Sequence, residues 1–267
     1  MDKNCKFKNK YGQWALVTGA SSGIGAAIAY QLAEKGFNII LCARNQKKLD
    51  KMARKIVFQY PVSTEVITKD LSVLEQVHQL CEEVKSFELG LVVLNAGFGT
   101  SGDYINSDLD TELNMLSLNC ISVAALAHYF GRRFAEQGRG GLIMLSSIVA
   151  FQGTPGAANY AASKAYVQNL SEGLYHELKP FNVDVLSAAP GPVETGFAAR
   201  ANMQMEGQSP SIVARDILSS LGKRNTTFPG RVSKMLIFGL RSVPRWGKVL
   251  IMKKVIRSMT EHRQKAA

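Results

Sequence analysis

Tyr160 and Lys164 stand four residues apart in NYAASKAYVQNL (159–170), a stretch built mostly of small residues. On a helix that spacing puts both side chains on one face, with Cβ atoms roughly 5–6 Å apart. An ammonium beside a phenol favours the phenolate, so the pair reads as an acid/base and its tuner. A free tyrosine titrates near ~10, and each unit of depression needs about 1.4 kcal/mol of differential stabilisation. Proton transfer is most efficient when that pKa lies near the working pH. The plain alternative is a half-buried helix with one exposed lysine, and the pair alone does not decide between them.

Other chemistry-bearing residues fall at regular places. TGASSGIGAAIA brings Gly19, Ser21, Ser22, Gly23, Ile24 and Gly25 directly after an apolar run. A glycine loop between a strand and a helix lets backbone approach a pyrophosphate, and the helix N-terminus adds N–H groups and a positive dipole end. A tight turn is the competing reading. The second apolar run ends in CARN. An acid near this place bonds an adenosine ribose 2′-OH and selects NAD. Here Arg44 stands instead, able to meet a 2′-phosphate through bidentate, charge-assisted bonds, so NADP(H) is expected in preference to NAD(H). Asp70, Asn95, Ala96 and Gly97 close the third and fourth runs, and Ser147 closes the fifth.

The elements that must position these residues are legible as alternation. Runs at 14–20, 37–43, 63–70, 89–97, 140–147 and 181–190 read as strands, with helix-period segments at 24–35, 46–58, 72–86, 108–137 and 160–179. Strand–helix alternation implies βαβ units and a parallel sheet covered on both faces. Continuous apolar strands suit burial on both sides. Ligands of such a sheet bind beyond the strand carboxyl ends, near the topological switch point. The expected fold is therefore a Rossmann-type, doubly wound α/β sheet, with residues 1–230 as a single catalytic domain. The basic N-terminus, MDKNCKFKNKYGQ, lacks the apolar stretch of a secretory signal and reads as a loose arm. Cys5, Cys42, Cys81 and Cys120 are widely spaced, which argues against a disulfide framework or a zinc site and fits a reducing, cytoplasmic setting. His128, His176 and His262 have no metal-ligand spacing, so no metal is expected.

TGASSGIG, Asp70, NAG, Asn119, the second serine of LSS and YAASK, in that order, resemble the short-chain dehydrogenase/reductase family over about residues 12–200. The resemblance implies NAD(P)-dependent chemistry at a CH–OH carbon. Tyr160 would give its proton to a carbonyl oxygen, and Ser147 would hydrogen-bond that oxygen. Lys164 would hold the nicotinamide ribose and depress the tyrosine, and Asn119 would anchor a proton-relaying water. Asp70 would touch the adenine, while Asn95, Ala96 and Gly97 shape its pocket. PGPVETG supplies the family's turn, Pro190 and Gly191, with Val193 and Thr195 against the carboxamide. The segment 197–208, with Met203 and Met205, would cover the substrate or serve as a variable connector. Family members commonly form homodimers or homotetramers through helices such as 108–137 and 160–179.

The tail departs from the compact form of the family. Residues 1–222 hold twenty Lys or Arg and twenty acids, whereas 223–267 hold twelve cations and one acid, Glu261, so the tail carries the whole net charge of +11. On a helical wheel Val249, Ile251, Met252, Val255, Ile256 and Met259 gather opposite Lys253, Lys254 and Arg257, with Lys248 and Leu250 breaking the pattern. With Trp246 this is the profile of a basic amphipathic interfacial anchor, here over 231–267. Packing on the body or on a second subunit is the rival. The tail loosely resembles those of membrane-associated 3-oxoacyl thioester and 17β-hydroxysteroid reductases, which adds the inner face of a membrane as a location.

The leading expectation is reduction of a hydrophobic ketone or 3-oxoacyl thioester to a secondary alcohol by NADPH. NAD-dependent oxidation of a secondary alcohol and a non-catalytic NADP-binding sensor or scaffold are the alternatives. No aromatic-basic interleaving points to nucleic acid.

Overall fold

The computed structural model describes residues 3–201, 203 and 206–260; Met205, Glu261 and His262 lie outside the described residues. Seven parallel strands form one sheet, β1 (Trp14–Thr18), β2 (Asn38–Ala43), β3 (Thr64–Thr68), β4 (Leu89–Leu94), β5 (Gly140–Leu145), β6 (Val183–Ala188) and β7 (Thr226–Thr227). Their spatial order is β3-β2-β1-β4-β5-β6-β7, so the direction of winding reverses between β1 and β4. The central strands β4 and β5 are buried at every position, as strands covered on both faces must be.

One face carries α1 (Lys3–Tyr11), α2 (Gly23–Glu34), α3 (Gln46–Gln59) and α9 (Pro210–Ser220), packed on Val17, Leu41, Val93 and Ile143. The other carries α4 (Leu74–Glu83), α5 (Leu109–Leu116), α6 (Ser122–Gln137) and α7 (Ala158–Leu178), packed on Leu16, Ile40, Val92 and Leu142. Alternate residues of each strand thus serve opposite layers, the period-two rule for a pleated strand. Phe130 and Phe134 of α6 are fully buried, each contributing about 1.5–3 kcal/mol of apolar burial. The continuous segment Leu109–Gln137 is long and apolar enough to cross a membrane, but half of its apolar window is buried, and Val123, Leu126, Phe130 and Phe134 are spent on the core.

The N-terminal arm is not loose. It forms α1, because Phe7 and Tyr11 lie one turn apart and both find aromatic or polar partners in the body. Their rings meet at 4.9 Å, Phe7 meets Phe37 at 5.9 Å, and Tyr11 Oη donates to Asp184 Oδ2 at 2.6 Å. Lys10 pairs with the same carboxylate at 2.5 Å.

The tail folds as α10 (Arg231–Gly239) and α11 (Arg245–Thr260), and a four-residue helix, α8 (Phe197–Arg200), precedes α9. Ser233 of α10 accepts a bond from Gly191 N at 2.8 Å, and Asp216 of α9 accepts from Gly230 N at 2.9 Å. These tethers fix the start of the tail against the turn after β6. Met252 and Ile256 of α11 are 6% exposed; Met252 packs with Val149, Ala161 and Tyr160, and Ile256 lies against Gly156. The apolar stripe of the helical wheel faces the body through Met252 and Ile256, whereas Ile251 of the stripe is exposed, as are Val232, Met235, Phe238, Trp246 and Leu250.

Candidate active site

The switch point between β1 and β4 is locked by side-chain bonds. Thr18 Oγ1 accepts from Asn95 N at 3.0 Å and Ala96 N at 3.1 Å, while it donates to Val93 O at 3.2 Å. Asn95 Nδ2 donates to Thr18 O at 3.0 Å and Gly19 O at 3.2 Å. Gly19 and Gly23 adopt φ of +64° and +59°, left-handed conformations that a side chain resists. A Cβ on Gly25 would lie 2.5 Å from both Gly19 O and Asn95 Nδ2, so the helix sits directly on its own loop. Ser22 caps α2 without a side-chain hydrogen bond. The positive end of the helix dipole is thereby left facing the cavity rather than a capping oxygen.

A cavity of about 880 Å³ opens above the strand ends. Gly19, Ser21, Ser22, Gly23, Ile24, Arg44, Asp70, Asn95, Ala96 and Gly97 line one end, and Ser147, Tyr160, Lys164, Pro190, Gly191, Val193 and Thr195 line its middle. Gly25 and Asn119 do not line it. Gly25 acts in packing, and Asn119 is fully buried in a π-helical turn, Ser117–Ile121. Asn119 Oδ1 accepts from Phe98 N at 3.1 Å, and its Nδ2 donates to Phe98 O at 2.8 Å and Ser163 Oγ at 3.0 Å. The Asn119 side chain thus ties the segment after β4 to α7.

At the dinucleotide end Arg44 lies 3.5 Å from Asp70, whose other oxygen accepts from Ser72 N at 3.0 Å and Ser72 Oγ at 2.8 Å. Burial pushes the Asp70 carboxyl up, but the Ser72 bonds and Arg44 outweigh it and hold its pKa below the ordinary value. A glycine loop, an open helix N-terminus, a basic residue and an anchored carboxylate form a donor set suited to a phosphate-bearing dinucleotide.

In the middle, Lys164 Nζ donates to Leu145 O at 2.8 Å and lies 5.8 Å from the centre of the Tyr160 ring. Ser147 Oγ accepts from Val149 N at 3.4 Å, and its Oγ lies 3.5 Å from Pro190 O. The expected depression of Tyr160 by Lys164 is not what this environment produces. Burial raises the phenol to about 12, opposed only by its hydrogen bond with Ser147. Burial likewise lowers Lys164 to about 8, opposed by Cys120. Desolvation disfavours the charged form of either group, and it is the largest cause of both shifts.

The far end is apolar and comes largely from the tail. Leu236 and Ile237 of α10, Leu240 just after it, and Ile251, Met252, Val255, Ile256 and Met259 of α11 line it, with Met203 and Phe197 from the segment after β6. Phe197 stacks on Tyr160 with ring centres 5.3 Å apart. Phe197, Arg200, Ala201 and Met203, all from the segment 197–208 expected to cover the substrate or connect elements, line the cavity; Phe98 and Gln152 also line it and were not anticipated. The signal for α11 was present in its helical wheel. None was present for Phe98 or Gln152, single residues without a pattern.

Comparison with known proteins agrees with this geometry. The short chain dehydrogenase family model matches residues 13–206. The chain is 30% identical over 233 residues to a 7beta-hydroxysteroid dehydrogenase of Clostridium sardiniense, covering 85% of this chain and 89% of that protein. It is 32% identical over 221 residues to a very-long-chain 3-oxoacyl-CoA reductase of Anas platyrhynchos, covering 81% and 71%. A short-chain dehydrogenase from Sphingobium yanoikuyae, solved in complex with NADPH, superposes with a TM-score of 0.78 at 26% identity, covering 88% of this chain and 97% of the other. With its glycine loop at the switch point and Ser147, Tyr160 and Lys164 gathered over the strand ends, this chain belongs to the short-chain dehydrogenase/reductase family, whose members are NAD(P)-dependent oxidoreductases.

Proposed function

We propose that the protein reduces a hydrophobic ketone or 3-oxoacyl thioester to a secondary alcohol with NADPH. The observation that carries the reading is one continuous cavity, with a glycine loop and Arg44 at one end, Ser147 and Tyr160 in the middle, and an apolar wall at the other end. The dinucleotide supplies the hydride. Tyr160, whose pKa burial raises further above neutral, gives its proton to the carbonyl oxygen. That protonation state suits reduction, since oxidation of an alcohol first requires the phenolate. Ser147 donates to the same oxygen. Lys164 holds the ribose hydroxyls, and Asn119 is a positioning residue that fixes Phe98 and α7.

The preference for NADPH is supported by Arg44 at the end of β2, where no acid stands to repel a 2′-phosphate. The substrate class is supported by the apolar wall from α10 and α11, and by relatives named for steroids and for acyl-CoA. The reading places the enzyme in the cytoplasm, at the inner face of a membrane. Met235, Phe238, Trp246 and Leu250 are exposed on helices that carry eight Lys or Arg and no acid over 231–260. Exposed Leu109, Leu113, Ile121 and Tyr166 on α5, the π turn and α7 support a homodimer or homotetramer.

The deciding experiment follows NADPH absorbance against 3-oxoacyl thioesters, steroid ketones, small aldehydes and quinones, with Tyr160→Phe alongside. Turnover that vanishes in the variant while NADPH still binds is the expected result; equal turnover in both proteins would remove Tyr160 from the chemistry. Arg44→Asp should collapse the ratio of NADPH to NADH affinity. Sedimentation with anionic vesicles at low salt should be lost in Phe238→Glu/Trp246→Glu, and full-length protein that never sediments defeats the membrane reading.

A further inference from the structure

The dinucleotide end of the cavity holds a second arginine that belongs to none of the family motifs. Arg200 ends α8, and its guanidinium carbon lies 3.9 Å from the centre of the Phe98 ring. Phe98 directly follows the Asn95–Gly97 turn and is itself buried. The helix is held there by its neighbour Ala201, which is 2% exposed and whose carbonyl accepts from Ser101 Oγ at 2.5 Å. Arg200 N also bonds back to Gly196 O at 3.2 Å, completing the turn. Stacking on Phe98 limits where the planar fork can point.

Arg200 shares the cavity with Arg44 and Asp70. Burial and then the charge of Arg44 hold its pKa below the ordinary value, with Asp70 pulling the other way. Asp70 is already engaged by Arg44 and Ser72. Among the described residues Arg200 makes no ion pair with a carboxylate. Two guanidinium groups lining one cavity together with the glycine loop are donors suited to a doubly charged anion.

We propose that Arg200 is the second arm of a phosphate clamp, gripping with Arg44 the ribose 2′-phosphate of the dinucleotide and holding α8 over the bound cofactor. The proposal rests on the NADPH reading. It makes the segment after β6 part of the cofactor-selecting apparatus as well as the substrate wall.

Calorimetric titration of the full chain with NADPH, NADH, 2′,5′-ADP and 5′-ADP tests it, using wild type, Arg44→Ala, Arg200→Ala, Arg200→Lys and the double alanine variant. Arg200→Ala should weaken NADPH and 2′,5′-ADP about tenfold, the size of one charge-assisted hydrogen bond. NADH and 5′-ADP should change less than twofold, which also shows that the variant is folded. Arg200→Lys should recover part of the loss, and the two alanine substitutions should be non-additive because both arms hold one phosphate. Equal loss for NADPH and NADH would place Arg200 on the pyrophosphate and overturn the clamp, as would no loss for any ligand. If wild type binds both dinucleotides equally and Arg44→Ala leaves the ratio unchanged, the NADPH reading fails and the clamp with it. If Arg44→Ala removes a real preference while Arg200→Ala is silent, only the clamp fails.

Discussion

Lys164→Met should make the protein more stable at neutral pH while it destroys turnover. Lysine titrates near 10.5 when unfolded and at about 8 in its buried site. Between those values the unfolded chain holds a proton that the folded chain has lost, so stability rises with pH from about 8 to about 10.5. Stability from this group is fully present above about 10.5 and lost as pH falls through about 8. At pH 7 the penalty is about 3 kcal/mol, and at pH 10 it has shrunk to about 1 kcal/mol. Methionine has nearly the shape of lysine but no charge, so it removes the penalty without leaving a large cavity. It also removes the 2.8 Å bond to Leu145 O, which costs about 1 kcal/mol.

The net expectation is a gain of about 2 kcal/mol at pH 7 that fades to nothing near pH 10. For a chain of this size that is a rise of about 4–8 °C in Tm at pH 7. Urea unfolding of both proteins without ligand, at pH 7 and pH 10, provides the comparison. Other titrating groups, including Tyr160 and Cys42, are present in both proteins and largely cancel in the difference. A variant less stable than wild type at pH 7, or a difference that does not move with pH, would refute the claim that burial dominates this site. The ammonium would then be well compensated by groups other than Leu145 O.

Three further perturbations probe the layers around the site. Gly25→Ala, whose Cβ would meet Gly19 O and Asn95 Nδ2 at 2.5 Å, should cost about 1–3 kcal/mol by overpacking and weaken dinucleotide binding; unchanged affinity by calorimetry would contradict the role given to that contact. Ile256→Ala should destabilise by about 2–5 kcal/mol and raise KM for bulky substrates more than for small aldehydes, because Ile256 is both core and cavity wall. A uniform change in KM across substrate sizes would speak against α11 as the substrate wall. Tyr11→Phe removes the 2.6 Å bond to Asp184 and should cost about 1–2 kcal/mol in urea unfolding without altering kcat. A null effect would mean that the ring contacts and the Lys10–Asp184 pair suffice to hold α1.

The sheet and its strand-end motifs were legible because their signals are redundant. Apolar runs, glycine placement and helix periods all point to one alternation, and β4 and β5 read as buried along their whole length. Where the reading failed, the information was tertiary. MDKNCKFKNKYGQ offers only Phe7 and Tyr11 as an apolar stripe, and their partners Phe37 and Asp184 are far along the chain. A lone pair of aromatics in a basic segment is a weak helix signal until those partners are in place. The Tyr160 and Lys164 pair was correctly placed on one helix face, but the sign of the pKa effect was not readable. Spacing shows that two groups are near each other; it does not show how much water both have lost. Arg200 lies inside the segment expected to cover the substrate, but its helix was not readable, since four residues have no period to detect.

The tail shows how chemistry and substrate choice are divided along this chain. The match to the short chain dehydrogenase family ends at residue 206, and it includes the glycine loop, Ser147, Tyr160 and Lys164. The apolar end of the cavity comes largely from 231–260, outside that match. Similarity over 13–206 therefore carries the reaction class, and much of the wall proposed to select the substrate lies beyond it. The wheel of α11 could have served a membrane, but much of its stripe is already used, with Met252 packed beside Val149 and Ala161 and Ile256 buried. Any membrane contact has to use the other side, through Phe238, Trp246, Met235 and Leu250. A helix pair committed on its inner face to the substrate cavity and open on its outer face puts a hydrophobic substrate one helix thickness, about 10 Å, from whatever surface the outer face meets. The vesicle experiment and the substrate panel are then linked. If anionic vesicles bind the protein, they should lower KM for a membrane-partitioning ketone and leave KM for a small aldehyde unchanged, and equal effects on both would separate the two faces of the tail.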